Sequence, residues 1–334
     1  METYIPEGYK SALGIYDTQK AIGTLKRIFE DNLSGTLHLR RVSAPLFVDG
    51  SSGLNDDLNG IERPVTFDIP MAKRSGQVVH SLAKWKRMAL HNYNFFPGNG
   101  LYTDMNAIRR DETLDNIHSI YVDQWDWEKV ITREDRTVEY LKDTVRCIVS
   151  AITDTANTMR AIYPALSLKL CDEVSFVTSQ ELEDMWPDKT PKERENLYLR
   201  EHGTAFIMQI GKKLRSGQVH DGRAPDYDDW ELNGDILFWD ELLGIALELS
   251  SMGIRVDEKA MDRQLRESGH DERRSLPFHK MLLNGELPLT IGGGIGQSRL
   301  CMLLLQKAHI GEVQVSLWDD ETMRICENAG IKLL

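Results

Sequence analysis

Apolar residues along this chain recur with two different periods, and the switches between them mark out its elements. Between Tyr16 and Leu33 the apolar positions Ala21, Ile22, Leu25, Ile28, Phe29 and Leu33 step by threes and fours, which predicts a helix; residues 36–42 then read as a strand stopped at Pro45. Residues 65–69 and 76–79 pattern as paired strands. Ser81 is placed to cap a helix whose apolar face carries Leu82, Trp85, Met88 and Ala89, so Lys84, Lys86 and Arg87 are expected on a solvated face. Residues 100–110 and 117–127 flank the polar loop 111–116 as two strands, which predicts a long hairpin whose second strand alternates with period two. On its second strand Ile120, Val122, Gln124 and Asp126 share one face, and Tyr121, Asp123, Trp125 and Trp127 the other. An amide beside a carboxylate on a face that begins aliphatic needs hydrogen-bond partners from the fold or from a ligand.

Further on, Val138, Leu141, Val145, Ile148, Ile152, Ala156 and Met159 define a long amphipathic helix. A strand over 173–178, a short helix over 179–186 and a helix opened by Thr190, Pro191 and Glu193 follow, then strands over 205–210 and 236–239. Residues 247–256 alternate as a strand yet set Glu248 among aliphatics, where a carboxylate is costly unless cations or donors meet it. Helices are expected over 258–268 and 277–284, then the strand entering a glycine stretch, a closing helix and a last strand over 313–317. Antiparallel hairpins with helices between them, and no internal repeat, predict one α+β domain over residues 1–334.

Gly292, Gly293, Gly294 and Gly296 directly precede Arg299 and an apolar run. Such a strand-to-helix junction lets a flat or charged ligand approach the main chain, and free helix N–H groups with a planar guanidinium suit phosphate or a base. A tight turn packing helix on strand is the plainer alternative. No Gly-x-x-x-x-Gly-Lys-Ser/Thr is present, and the glycines do not follow Gly-x-Gly-x-x-Gly, so neither a P-loop nor a Rossmann site is supported.

With 334 residues and 41% hydrophobic content the chain is globular, and its net charge of −12 argues against a general nucleic-acid binder. Cys147, Cys171, Cys301 and Cys326 are scattered without a Cys-x-x-Cys pair, which fits a reducing compartment. The first residues lack the pattern of a signal peptide and no run approaches a membrane span, so a cytoplasmic protein is expected.

Seven runs then combine: HSLAKWKR (80–87), GLYT (100–103), YVDQWDWE (121–128), RAPDYDDW (223–230), LNGDIL (232–237), ELSSMGIRV (248–256) and IGGGIGQSRL (291–300). In this order, over nearly the whole chain, they resemble the ammonia-dependent asparagine synthetases, or aspartate:ammonia ligases, whose catalytic fold is that of the class II aminoacyl-tRNA synthetases. The resemblance implies a mainly antiparallel sheet flanked by helices. It also implies synthesis of L-asparagine from L-aspartate, ATP and ammonia through a β-aspartyl-adenylate, releasing AMP and pyrophosphate.

The implied roles are specific. Pro45 closes the first class motif, used for contact in a homodimer. Arg109 meets the α-phosphate, Arg299 the adenine and γ-phosphate, and Gly292, Gly293, Gly294 and Gly296 lie beside ATP, while Asp235 and Glu248 hold Mg2+. Asp56, Lys86, Gln124, Asp126, Arg223, Asp228, Ser251 and Arg255 line the aspartate pocket. Asp56, in the polar loop 49–60, joins Arg109, Gln124 and Arg299 as a catalytic group, steering ammonium or taking its proton. No cysteine has the surroundings of a glutaminase nucleophile, so free ammonia is the expected donor. The alternative is an aspartyl-tRNA synthetase-like paralogue that activates aspartate or binds RNA. Such an enzyme normally appends an anticodon-binding module, and only about fifteen residues precede the first-motif helix here. Small-molecule substrates are therefore expected, with neither nucleic acid nor membrane as a partner.

Overall fold

A computed structural model describes residues 2–56 and 62–334; of the predicted loop 49–60, residues 57–60 lie outside the described residues. In chain order the elements are α1 (Ile15–Leu37), β1 (Leu39–Arg41), β2 (Phe47–Asp49), β3 (Thr66–Ile69), β4 (Arg74–Val78), α2 (Ala83–Asn92), β5 (Gly100–Ile108), β6 (Tyr121–Val130), α3 (Val138–Ile162), β7 (Ser175–Thr178), α4 (Ser179–Met185), α5 (Pro191–His202), β8 (Thr204–Met208), β9 (Asp228–Asp240), β10 (Ile245–Arg255), α6 (Glu258–Ser268), α7 (Pro277–Leu283), β11 (Thr290–Gly296), α8 (Gln297–Leu304) and α9 (Asp320–Asn328). Eight strands form one sheet in the order β1-β5-β6-β11-β10-β9-β8-β7, and β2-β4-β3 form a small second sheet. The large sheet is antiparallel except at its edges, where β1 pairs with β5 and β7 with β8 in parallel. No helix among the described residues is long and apolar enough to cross a membrane.

The two faces of this sheet have different coverings. On one, α1 sets Ala21, Leu25, Phe29 and Leu33 against Trp125 and Trp127 of β6, together with the apolar stripe of α3 and Leu300, Cys301 and Leu304 of α8. Phe29 and Trp125 pack with ring centroids 4.7 Å apart, and the indole N–H of Trp125 donates to Glu30 Oε1 at 3.0 Å, so the large ring is buried without losing its hydrogen bond. Truncating such a side chain typically costs about 3–5 kcal/mol. On the opposite face, α4 and α5 cover Ala205, Ile207 and Leu237, while α2 packs near Leu101 and Val130. Between these two coverings the sheet is left open, and there the polar residues of β6, β10 and β11 collect.

Local signals explain most boundaries. Thr137 caps α3 by accepting from Tyr140 N at 3.2 Å, and Thr190 with Glu193 forms a capping box at α5, after which Pro191 fits the first helical position. The hairpin β5–β6 and the alternation on its second strand appear as expected. Three expectations need correction. Residues 36–42 are not all strand: Leu37 extends the buried stripe of Leu25, Phe29 and Leu33 by one more turn, and His38 ends the helix in the left-handed region at φ 59°. Residues 313–317 form no strand, because the backbone has no ladder partner there and Val315 and Leu317 point outward while Gln314 is buried. Lys84, Lys86 and Arg87 are not solvated; all three are buried, because the polar face of α2 is itself covered by the carboxylates and carbonyls of the open region.

Candidate active site

Strand β11 forms the floor of the site. Gly292 pairs with Glu128 on β6 and Gly253 on β10, and Gly294 pairs with Asp126 and Ser251, so glycine backbone runs between two rows of functional side chains. A Cβ on Gly292 would lie 2.0 Å from Glu128 Oε2 and 2.7 Å from Arg255 Nη2, and one on Gly294 would lie 2.3 Å from Gln124 Oε1. These two glycines therefore admit polar side chains over the strand, which no other residue would allow without displacing them. Gly293 faces the opposite side, toward the Cβ of Met252, and presents only its main chain to the site.

The strand parity of β6 places Gln124, Asp126 and Glu128 on the open face, as the alternation requires. On β10 the matter is less simple. Ile245, Leu247 and Leu249 face the core, but so do Met252 and Ile254, and the register slips between Glu248 and Ser250. This β-bulge reverses the parity, so that Glu248 before it and Ser251 and Arg255 after it all reach the same face. Without it, Glu248 and Arg255 would lie on opposite sides of the sheet.

One cavity of about 450 Å³ gathers most of the residues that the sequence singles out: Asp56, Lys86, Arg109, Gln124, Asp126, Arg223, Asp228, Glu248, Ser251, Arg255, Gly293, Gly294, Gly296 and Arg299 all line it. Gly292 does not line it, because it lies beneath the Glu128 and Arg255 side chains. Asp235 is also set back, behind Arg223.

At one end the groups are tightly paired. Arg255 donates through Nε and Nη2 to Glu128 at 3.0 and 2.8 Å, and through Nη1 to Asp228 Oδ1 at 2.5 Å. Thr290 adds a hydroxyl to Glu128 Oε1 at 2.7 Å. Lys86 donates to Asp126 and, at 3.0 Å, to the carbonyl of Gly293. Burial would raise the Glu128 pKa, but Arg255, with Lys86 and Thr290, overrides it and holds the carboxyl below its ordinary range. For Asp228 burial wins over Arg255 and the pKa rises. Burial likewise pushes the Lys86 ammonium down, against the pull of Asp126. Three of the five N–H groups of Arg255 are used by these contacts, leaving one on each terminal nitrogen for a ligand.

At the other end the charges are arranged around Glu248. Arg299 donates to the carbonyls of Ile117 and Glu248 at 3.3 and 3.1 Å, with its Nη1 3.7 Å from the Glu248 carboxylate. Arg109 lies 3.9 Å from Glu112, and its Nε is buried without a hydrogen-bond partner among the described residues. Arg223 binds Asp221 at 3.0 Å and Asp235, which places it at the junction of the two ends rather than wholly among the tightly paired groups around Arg255. Burial, with Glu248 and Asp221 adding to it, pushes Asp235 up to about 6 against the pull of Arg223. Glu248 moves down, because Arg299, Lys192 and Arg223 outweigh its burial. Asp56 is buried with its main-chain carbonyl 3.0 Å from His80 Nδ1, and its carboxylate acts electrostatically on Tyr227 across the cavity.

Sequence patterning assigns no role to Glu128 or to the buried set in which Asp226 Oδ2 receives Lys84 at 3.1 Å, Arg273 at 3.1 Å and His279 at 2.9 Å. A signal for Glu128 does exist: it continues the Gln124 and Asp126 face by two residues. Asp226 has no such signal, since its partners lie 142, 47 and 53 residues away in sequence.

The same architecture occurs in solved structures. Asparaginyl-tRNA synthetase from Pyrococcus horikoshii, complexed with asparaginyl-adenylate, matches with a TM-score of 0.64 over 91% of this chain and 70% of that one, at 14% identity. Aspartyl tRNA synthetase from Entamoeba histolytica matches at 0.58 over 92% of this chain and 58% of its own, at 17% identity. The fold is that of a class II aminoacyl-tRNA synthetase catalytic domain. In sequence, the aspartate-ammonia ligase family model matches residues 16–330. Aspartate–ammonia ligase from Clostridium perfringens is 60% identical over 332 residues, 99% of each chain, and that from Lactobacillus johnsonii is 57% identical over the full length of both. The chain belongs to the aspartate-ammonia ligase family.

Proposed function

We propose that the chain makes L-asparagine from L-aspartate, ATP and ammonia through a β-aspartyl-adenylate, with release of AMP and pyrophosphate. The observation that carries this reading is the relationship to aspartate–ammonia ligases at 60% identity over 99% of both chains. The geometry supports it by joining, in one cavity, a charge-paired pocket of amino-acid size to a wall of arginines.

In this reading the two free N–H groups of Arg255, with Lys86 close by, hold a substrate carboxylate. Asp126, Asp228 and Gln124 accept from the substrate ammonium, and Ser251 and Arg223 close the pocket toward the nucleotide. The side-chain carboxylate oxygen then attacks the α-phosphorus, a P–O bond forms, and the bond to pyrophosphate breaks. Arg109 and Arg299 neutralise the charge that builds on the phosphates, which is where catalysis of such a step is won. Gly293, Gly294 and Gly296 let the nucleotide lie against the main chain. In the second step ammonia adds to the acyl carbon and AMP leaves with the bonding pair, while Asp56, which lines the cavity, accepts the proton lost by the incoming nitrogen.

Asp235 and Glu248 fit a magnesium site. They are two carboxylates on neighbouring strands, and Asp235 Oδ1 is buried without a hydrogen-bond partner among the described residues. Mg2+ takes one or two protein carboxylates and completes its shell with phosphates and water. When bound, it would neutralise part of the phosphate charge.

A cytoplasmic homodimer completes the proposal. Leu46, Phe47, Phe67 and Met71 are exposed next to Pro45, with the two phenylalanine rings 4.9 Å apart, and such a patch suits a partner surface. The net charge of −12 favours small-molecule substrates over RNA.

The test is direct: purified chain is given ATP, aspartate, ammonium and magnesium, and asparagine, AMP and ADP are measured. Asparagine formed with equal AMP supports the proposal. No asparagine, or ADP in place of AMP, would overturn it.

A further inference from the structure

Lys192 lines the cavity but is used by none of the steps above. It sits in the first turn of α5, whose start is fixed by the Thr190 and Glu193 capping box and by Pro191. It is the only residue of that helix in the cavity wall, and its side chain is 68% exposed, so a rigid main chain carries a flexible four-carbon tether.

Its anchor is shallow. The ammonium donates to Glu195 Oε2 at 2.9 Å, while the other oxygen of Glu195 lies 3.0 Å from His220 Nε2. Glu195 and His220 are both buried. Glu195 therefore keeps a partner in place when the lysine departs. Beyond Glu195, the carboxylates acting on Lys192 are Glu248 and Asp221, which also surround Arg223 and Asp235. An ordinary surface pair three residues apart would account for the contact with Glu195, but it contributes little to stability and does not explain why the lysine overhangs this wall.

The charges on the wall point to a ligand. Arg109, Arg223, Arg299 and Lys192 stand among Glu112, Asp221, Asp235 and Glu248, so each of these cations already has carboxylates nearby before any substrate enters. A triphosphate brings more negative charge than one divalent ion cancels. Arg223 and Arg299 already hold fixed partners and Arg109 is given to the α-phosphate in the reading above, while Lys192 has one hydrogen-bond partner among the described residues, Glu195, at the end of an exposed side chain, so it is the further cation able to swing toward the outer phosphates.

We propose that Lys192 leaves Glu195 to pair with the β- and γ-phosphates of ATP and then with the departing pyrophosphate, making α5 a supplier of a polyphosphate-binding residue. The proposal rests on the reading of this cavity as an ATP site. A lysine suits the role because it meets phosphate as a compact point charge.

The experiment compares Lys192→Met and Lys192→Arg with the unaltered chain. Binding of magnesium pyrophosphate and, separately, of AMP is followed by titration calorimetry, and KM values are taken for ATP and aspartate. Lys192→Met should weaken pyrophosphate binding by about tenfold or more, the usual range for losing a charged contact. It should raise the KM for ATP in step, with AMP binding, the KM for aspartate and the unfolding midpoint unchanged. Lys192→Arg should restore most of the pyrophosphate binding. Undiminished pyrophosphate binding by Lys192→Met, or an equal loss of AMP binding, would overturn the proposal. Because the calorimetry needs no turnover, failure of the unaltered chain to form asparagine would count against the reaction assigned above and not against this role for Lys192.

Discussion

Arg255 and Glu128 form a bidentate ion pair that is shut off from solvent, with Nε and Nη2 meeting the carboxylate at 3.0 and 2.8 Å. Removing one member of such a pair leaves the other charge buried, which costs about 3–5 kcal/mol. Glu128→Gln keeps the shape and discards the charge, so it should lower the stability in urea by roughly that amount and let Arg255 turn toward Asp228. The KM for aspartate should then rise much more than the KM for ATP. A variant with an unaltered KM for aspartate would show that Glu128 does not position Arg255.

The stability of the ligand-free protein should depend on pH from both sides. Asp235, pushed up to about 6, binds its proton more tightly folded than unfolded; its contribution is complete below about 4 and is lost as pH rises through 6. Glu128, held below its ordinary range, behaves oppositely: its contribution is present above about 4 and is lost on acidification. Urea midpoints measured between these limits should show a decline toward neutral pH that Asp235→Asn makes shallower, with the buried, raised carboxyls of Asp228, Asp240 and Glu312 supplying the remainder. An equally steep decline in that variant would show that Asp235 is not a source of it.

Arg299→Lys conserves charge but not the planar fork that reaches two carbonyls and Glu248. Adenylation, read as aspartate-dependent exchange of pyrophosphate into ATP, should slow by about tenfold or more, while direct binding of aspartate should stay the same. Normal exchange in the lysine variant would return the glycine stretch to a packing role.

The nitrogen donor should be free ammonia. Burial raises the thiols of Cys301 and Cys326 to about 12 and about 11, and neither these nor Cys147 and Cys171 line the cavity. A thiol so protonated is no nucleophile near neutral pH. At fixed total ammonium the rate of asparagine formation should climb with pH as the ammonia fraction grows. Glutamine freed of ammonia should give almost none, and a rate with it comparable to that with ammonium would defeat this prediction.

How much of this can be read from the sequence depends on whether the signal is local. Gln124 and Asp126 are legible because a strand sorts its side chains by parity, and the capped starts of α3 and α5 because caps are local hydrogen bonds. Lys86 is misplaced by the same kind of signal. Helical periodicity separates its face from the apolar one, but only the distant Asp126 and Gly293 decide that the polar face is buried. The expected strand over 313–317 fails because alternation says nothing about whether a partner edge exists. The glycine stretch stands out in the sequence, but its main task, giving room to Glu128, Arg255 and Gln124, needs the neighbouring strands.

The slipped register between Glu248 and Ser250 has one further consequence. It divides β10 into two blocks of opposite phase, one carrying the carboxylate beside Arg299 and the other the guanidinium beside Glu128. In the proposed reading the spacing between nucleotide and amino acid is thus built into a single continuous strand, and no hinge between separate bodies has to bring the two reactants together. Each block can vary in side chain while the separation holds. A gain or loss of one residue at that point would leave both halves intact and still turn one of them to the wrong side of the sheet.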